Sequence, residues 1–124
     1  MTKEEIEEKL NQIAEITAKI DALEEKKERL TTASYQCIDI IDGDMAEFVE
    51  MWNRTLEGVD DGIEYEGGKE KEYLDAVSGT LYQDIGAYTD MLNSVMNDID
   101  DEIIRIQNEI EELEAERSSI SLFD

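Results

Sequence analysis

Residues 56–68 read LEGVDDGIEYEGG, and this segment holds four of the seven glycines in the chain. Glycine ends helices because it loses the most backbone entropy on ordering and because it adopts positive φ angles freely. The chain contains no proline, and glycine is not concentrated anywhere else. We therefore predict a single domain over residues 1–124 with one glycine-rich turn, at about residues 57–68.

On both sides of this turn, apolar residues recur at steps of three and four, as in a helix that packs along one face. In the first half the repeat comprises Ile6, Leu10, Ile13, Ile16, Ile20, Leu23, Leu30, Cys37 or Ile38, Ile41, Met45, Phe48 and Trp52. In the second half it comprises Tyr73 or Leu74, Val77, Leu81, Ile85, Tyr88, Leu92, Val95 or Met96, Ile99, Ile103, Ile106, Ile110, Leu113 and Ile120. This pattern predicts helices over about residues 3–55 and 69–119.

The two repeats also indicate how the helices pair. In an antiparallel pair, facing residues have position numbers with a constant sum. Eight apolar pairs, among them Ile16 with Ile110 and Ile20 with Ile106, add to 126, and two pairs nearer the turn add to 125. We therefore predict an all-α fold, an elongated antiparallel two-helix hairpin of the coiled-coil type, which stands alone or joins a partner in a helical bundle.

Two polar features qualify this pattern. Thr2 followed by Glu5 has the spacing of a capping box and predicts the start of the first helix. Lys27 occupies a seam position opposite Ile99 and its flanking aspartates. A charged seam residue either fixes the register of the helices or extends its amine to the solvent, and we favour the second interpretation.

The charge of the chain limits the classes of partner. The formal net charge is −23, distributed as −3 over residues 1–30, −9 over residues 31–68 and −11 over residues 69–124. Such a surface repels phosphate backbones and anionic lipids, so we expect no nucleic-acid binding and no membrane insertion. Basic or neutral protein partners are compatible with it, and so is the simpler interpretation that the charge maintains solubility.

Catalysis is not expected, because the chain contains no histidine to act as general base or neutral metal ligand. Cys37 lies on the apolar repeat and is most simply a small core residue. Two acidic clusters lack the ligand spacing of an EF-hand loop, so we predict no metal and no cofactor. These clusters are Asp39, Asp42, Asp44 and Glu47, and Asp60, Asp61, Glu64 and Glu66.

The apolar stripe widens on both helices near the turn, beyond the area that two helices bury between them. Exposed contiguous apolar surface usually marks a partner site. The partner-binding residues that we predict are Ile38, Ile41, Met45, Phe48, Trp52, Leu81, Tyr82, Met91 and Val95. Self-association into a four-helix bundle through the same surface is the alternative, and the repulsion between two chains of charge −23 disfavours it.

The segment YEGGKEKEY at residues 65–73 resembles the W-x-G signature of the small helical-hairpin proteins of type VII secretion. In that signature an aromatic residue, any residue and a glycine form the turn, and a second aromatic follows six residues later. Tyr65, Gly67 and Tyr73 match these three positions in this chain. The long arms on either side of the turn look more like those of the YwqH-like relatives, which are associated with LXG-domain toxins.

This resemblance implies a function in toxin export. It implies that the chain binds the helical N-terminal LXG region of a secreted toxin, with or without a second small helical protein, and targets it to the secretion machinery. The alternative is a homo-oligomeric coiled-coil scaffold without a toxin client, and a weak homodimer is compatible with either function. The charged start, Met1-Thr2-Lys3-Glu4-Glu5, has no hydrophobic segment after it, so we expect a cytoplasmic chain without a cleaved signal peptide. Co-export with the toxin through type VII secretion is also consistent with the resemblance.

Overall fold

The structure is a computed structural model that describes residues 1–62 and 69–122, and it contains no β-strand in these ranges. Its elements are α1 (Lys3–Asp39), a π-helical turn (Ile40–Met45), α2 (Ala46–Gly62) and α3 (Lys69–Ser119). The helical half that ends with α2 packs against α3, which confirms the predicted all-α helical hairpin.

The first helix begins at a capping box, as the sequence predicts. The backbone N–H of Glu5 donates to Thr2 Oγ1 at 3.2 Å, and the backbone N–H of Thr2 donates to Glu5 Oε2 at 3.3 Å. Each side chain therefore satisfies a backbone donor that the first helical turn leaves without a partner. The carboxylate of Glu5 also lies at the positive end of the helix dipole, where a negative charge is favourable.

The chain divides into two compact units. The first unit comprises Met1–Ser34 together with Asn97–Asp124, and the second unit comprises Tyr35–Met96. Each unit takes one helical segment from each half of the hairpin, and each is described separately below.

The first unit holds the principal core of the described residues. Ile16 and Ile20 on α1 pack with Ile106 and Ile110 on α3, and the last two are 0% and 1% exposed. Burying an isoleucine side chain stabilises the fold by about 1.5–3 kcal/mol relative to leaving it exposed. The partly buried hydrophobic residues packed against this core are Leu23, Leu30, Leu113 and Ile120.

Polar contacts on the surface of the first unit show that its helices run antiparallel. Lys9 Nζ donates to the backbone oxygen of Ser121 at 2.7 Å, and Lys26 Nζ donates to Glu102 Oε1 at 3.2 Å. The position numbers therefore fall along α3 as they rise along α1.

The second unit contains the π-helical turn, which the sequence analysis did not predict. A π-turn closes its hydrogen bonds from residue i to residue i+5, so it holds one residue more than an α-turn. Half-buried side chains recur across this turn at Cys37, Ile41, Met45, Val49, Trp52 and Leu56, and the neighbouring Ile38 and Ile40 are half-buried as well. Three successive steps of four exceed the α-helical period, and the extra residue of the π-turn absorbs the excess.

This turn corrects the predicted seam. Phe48 was assigned both to the seam and to the partner-binding surface; it is 39% exposed, and its neighbour Val49 is half-buried instead. The helical half also continues to Gly62, whereas the sequence predicts an end near residue 55. A glycine within a helix costs only about 1 kcal/mol relative to alanine, so Gly58 alone is not enough to end the helix. Most of the predicted turn, residues 63–68, lies outside the described residues.

Candidate functional site: an apolar groove in the second unit

The second unit carries most of the exposed apolar side chains that the structure describes. Eight of the eleven large hydrophobic residues that are exposed belong to it. They are Tyr35, Phe48, Met51, Tyr73, Tyr82, Tyr88, Met91 and Val95. Exposed apolar surface of this kind, concentrated in one part of a molecule, is typical of a protein-binding site.

A groove of about 450 Å³ lies between the two helical halves of this unit. Its lining residues, which define the apolar groove, are Asp44, Met45, Phe48, Leu81, Asp84, Ile85 and Tyr88. Met45, Leu81 and Ile85 are half-buried and form its floor, whereas Phe48 and Tyr88 are 39% and 47% exposed. A ring that is exposed at the edge of an apolar floor loses water favourably when a partner covers it.

The walls of the groove come from different helices. Asp44 and Met45 end the π-helical turn, and Phe48 follows in the first turn of α2. The opposite wall is one face of α3, where the residues at positions 81, 84, 85 and 88 have the spacing i, i+3, i+4 and i+7. Because the π-turn moves Val49 inward, Phe48 is directed to the rim of the groove instead of the core.

A second, smaller cavity of about 280 Å³ extends the groove along α3. It is lined by Tyr73, Ala76, Val77, Thr80 and Leu81, so that Leu81 belongs to both cavities. Tyr88 lies fifteen positions after Tyr73, a distance of about 22 Å along the helix. The apolar surface is therefore long enough to hold about four turns of a partner helix.

Hydrogen bonds between the two halves hold the walls in place. Trp52 Nε1 donates to Ser78 Oγ at 3.1 Å, and Ser78 is the buried polar residue of the described chain, at 9% exposure. Thr89 Oγ1 donates to Met45 Sδ at 3.6 Å. The Trp52 bond satisfies a donor that burial would otherwise leave unpaired, so it fixes the spacing of α2 and α3 beside the groove.

The second unit, which contains the groove, is strongly acidic in composition. The second unit contains fifteen acidic and three basic residues, a net charge of −12. Two of the basic residues, Lys69 and Lys71, start α3, and the third, Arg54, forms an ion pair with Glu50 one turn earlier on α2. Asp44 and Asp84 are exposed on opposite walls of the groove, and none of its lining residues is basic.

The structure brings three of the nine predicted partner-binding residues together in the groove, namely Met45, Phe48 and Leu81. Ile38, Ile41 and Trp52 are half-buried and contribute to packing within the unit. Tyr82, Met91 and Val95 are exposed outside the groove, and Tyr82 donates a hydrogen bond to Asn53.

Sequence reasoning missed four residues of the groove. Ile85 and Tyr88 were assigned to the seam between the helices, Asp44 was placed in an acidic cluster without metal-ligand spacing, and Asp84 was not singled out. The signal that identifies the three residues on α3 is the single face at positions 81, 84, 85 and 88, which carries one carboxylate among three apolar residues.

The predicted turn motif is only partly described. Tyr65 and Gly67 lie outside the described residues. Tyr73 lies in the first turns of α3, where its side chain is 70% exposed and lines the smaller cavity. It is therefore available at one end of the apolar surface.

Within residues 1–62 and 69–122, no three His, Cys, Asp or Glu side chains cluster closely enough to hold a metal ion. In the described part of the chain, no helix combines the length and apolar character that crossing a bilayer requires. Comparison of the chain with protein-family models, with curated proteins and with solved structures finds no match.

Proposed function

We propose that this chain is a non-catalytic targeting factor, similar to a chaperone, that binds the helical N-terminal LXG region of a secreted toxin for type VII secretion. The observation that carries the binding function is the apolar groove of the second unit, with its exposed aromatic rim. We propose a toxin as the bound protein because residues 65–73 resemble the W-x-G signature. A second small helical protein is compatible with the same complex.

The groove supports recognition of a helix in particular. Helices bind protein grooves by placing apolar residues at i, i+3, i+4 and i+7 against an apolar floor. The floor here is made by Met45, Leu81 and Ile85, and the rings of Phe48 and Tyr88 flank it. Methionine and aromatic side chains are enriched in the cores of interfaces, because they bury much area and adapt to the shape of a partner.

A homo-oligomeric coiled-coil scaffold is the second candidate function. The same groove favours it, because a second copy of the chain would also supply an apolar helical face. The net charge of −23 opposes it, because association brings two acidic surfaces together.

Light scattering separates the two functions. We expect the chain alone to be a monomer or a weak dimer, and to form a stable complex of defined mass when an LXG region is added. A tight homo-oligomer that does not respond to the LXG region would contradict the targeting function and support the scaffold.

Substitution of Phe48 tests whether the groove is the binding surface. Because Phe48 is 39% exposed, we expect Phe48→Asp to abolish binding of the LXG region without loss of helical content in circular dichroism. Ile104→Asp is the matched control, since Ile104 is 60% exposed and lies in the first unit. Equal binding by Phe48→Asp and the native chain would exclude the groove.

A further inference from the structure

We propose that the apolar groove, together with the smaller cavity that continues it to Tyr73, binds one α-helix of about four turns whose apolar face is bordered on both sides by lysine or arginine. This inference rests on the proposed function in assigning protein recognition to the groove, and it adds the chemistry by which the partner is selected. It concerns the charge of the bound helix and not the identity of the toxin.

The position of the acidic residues supports a basic border on both sides of the helix. Asp44 belongs to the half of the hairpin that carries Met45 and Phe48, whereas Asp84 belongs to α3. A helix on the apolar floor therefore has one exposed carboxylate on each side. Lysine and arginine reach such carboxylates easily, because their alkyl stems lie along apolar surface while their charged groups remain in water.

Among the described side chains of the second unit, no basic residue lines the groove or pairs with these carboxylates. Arg54 pairs with Glu50 on its own helix, and Lys69 and Lys71 lie more than ten positions from Asp84 along α3. A partner with acidic borders would face both carboxylates and the net charge of −12 in the unit. Like charges across an interface exclude wrong partners more effectively than opposite charges strengthen correct ones.

The same argument disfavours a second copy of the chain as the occupant. The face of α3 beside the groove carries Asp84, and the π-helical turn carries Asp42 and Asp44. A second copy would therefore place its own carboxylates against those of the first. Only a partner of opposite charge gains from every charged residue that lines the groove.

Two synthetic α-helical peptides test this inference. Each has about sixteen residues, which matches the length of α3 from Tyr73 to Tyr88. Both have the same leucine face, and the border residues are lysine in one and glutamate in the other. We expect the native chain to bind the lysine peptide at least about tenfold more tightly, a difference of about 1.4 kcal/mol. Fluorescence anisotropy at low salt measures both affinities.

Charge reversal in the groove provides the decisive comparison. We expect the double variant Asp44→Lys with Asp84→Lys to invert the preference, because both positions are exposed and the apolar floor is unchanged. The matched control is Asp21→Lys with Asp101→Lys, which changes the net charge equally at exposed positions of the first unit. Equal binding of the two peptides by the native chain would overturn the inference, and so would loss of the preference in the control.

The same variants distinguish this inference from the proposed function. An LXG region that binds the native chain and the Asp44→Lys, Asp84→Lys variant equally, but not Phe48→Asp, would retain the function and overturn the charge rule. The peptide preference could instead invert in the Asp44→Lys, Asp84→Lys variant while the LXG region fails to bind the native chain. That result would retain the charge rule and contradict the proposal that the client is a toxin.

Discussion

At the scale of single residues, Lys27 shows how a charged side chain is accommodated between two helices. Its Nζ donates to Gln107 Oε1 at 2.8 Å, and Gln107 Nε2 in turn donates to Glu111 Oε1 at 3.4 Å. Lys27 is half-buried, and its amine bonds a neutral amide on the opposite helix, a contact that the sequence does not predict. The amide group of Gln107 thus directs its oxygen to the amine of Lys27 and its nitrogen to the carboxylate of Glu111.

This arrangement predicts an asymmetric double-mutant cycle. Gln107→Leu leaves the ammonium group without its acceptor, and we expect the free energy of unfolding to fall by about 1 kcal/mol. Lys27→Met keeps the packing of the stem and removes the charge, so we expect a change below about 1 kcal/mol. The double variant should recover the loss of Gln107→Leu, and urea unfolding measures all four chains. Additive effects of the two substitutions would contradict the pairing.

Glu102 is the residue whose ionisation responds most clearly to its neighbours. Arg105 donates to it from Nε at 2.9 Å and from Nη2 at 2.5 Å, and Lys26 donates from α1 at 3.2 Å. These hydrogen bonds, those of Arg105 first, lower the pKa of Glu102 from its ordinary value of 4.5 to about 2. The ionised form is thus favoured more in the folded chain than in the unfolded chain.

The sign of the resulting pH dependence follows from this lowered pKa. The contribution of Glu102 to stability is present above pH 4.5 and is lost as the pH falls toward about 2. We expect NMR titration of the Glu102 carboxyl group to give a midpoint near 2 in the native chain. Arg105→Gln should raise that midpoint more than Lys26→Gln, because Arg105 makes two hydrogen bonds. A native midpoint near 4.5 would show that solvent screens these contacts.

At the scale of helices, side-chain direction explains which residues meet. The cross-helix hydrogen bonds join residues whose position numbers add to more than the predicted 126, from 128 for Lys26 with Glu102 to 135 for Asn53 with Tyr82. Side chains on a helix lean toward its N-terminus. In an antiparallel pair, the side chains that meet therefore belong to residues whose position numbers add to more than those of the residues whose backbones face each other. The bonds are consistent with the predicted pairing once this lean is included.

The π-helical turn gives a prediction about chain length. Because it holds one extra residue, we expect deletion of Gly43 to convert it into an α-turn while the apolar faces before and after it stay aligned. The melting temperature should then change by only a few degrees. Deletion of Ala22, an exposed residue in the regular part of α1, rotates the following residues by about 100° and should unfold the first unit. Equal damage by both deletions in circular dichroism melts would contradict this account.

The periodicity of the sequence predicted the core of the first unit, although Leu10, which was assigned to the seam, is 47% exposed, and it was insufficient for the second unit. Ile16, Ile20, Ile106 and Ile110 were predicted as paired seam residues, and they form the core. Near the π-turn, Phe48 and Val49 are both apolar, so hydrophobicity alone does not decide which one faces inward. That choice depends on backbone hydrogen bonds that have no residue signature. For the same reason, Ile85 and Tyr88 were assigned to the seam and not to an open groove.

At the scale of the whole molecule, the net charge of −23 acts on every equilibrium of the chain. Repulsion among the carboxylates opposes the compact state, and salt weakens this repulsion because the screening length falls from about 30 Å at 0.01 M to about 8 Å at 0.15 M. Association responds to salt in a direction that depends on the charge of the partner. A basic partner is attracted less as salt rises, whereas a second acidic copy is repelled less.

We therefore expect three salt responses from one series of sodium chloride concentrations. The melting temperature should rise with salt, because unfolding relieves less repulsion when the charges are screened. Affinity for the partner helix should fall, because the attraction to lysine or arginine beside Asp44 and Asp84 is screened. Any homo-oligomer should become more stable, and light scattering measures this in the same samples. Selection of a basic partner helix by the groove requires the second and third responses to have opposite signs. Partner affinity that rises with salt would mean that the groove binds through its apolar floor alone, with no selection by charge.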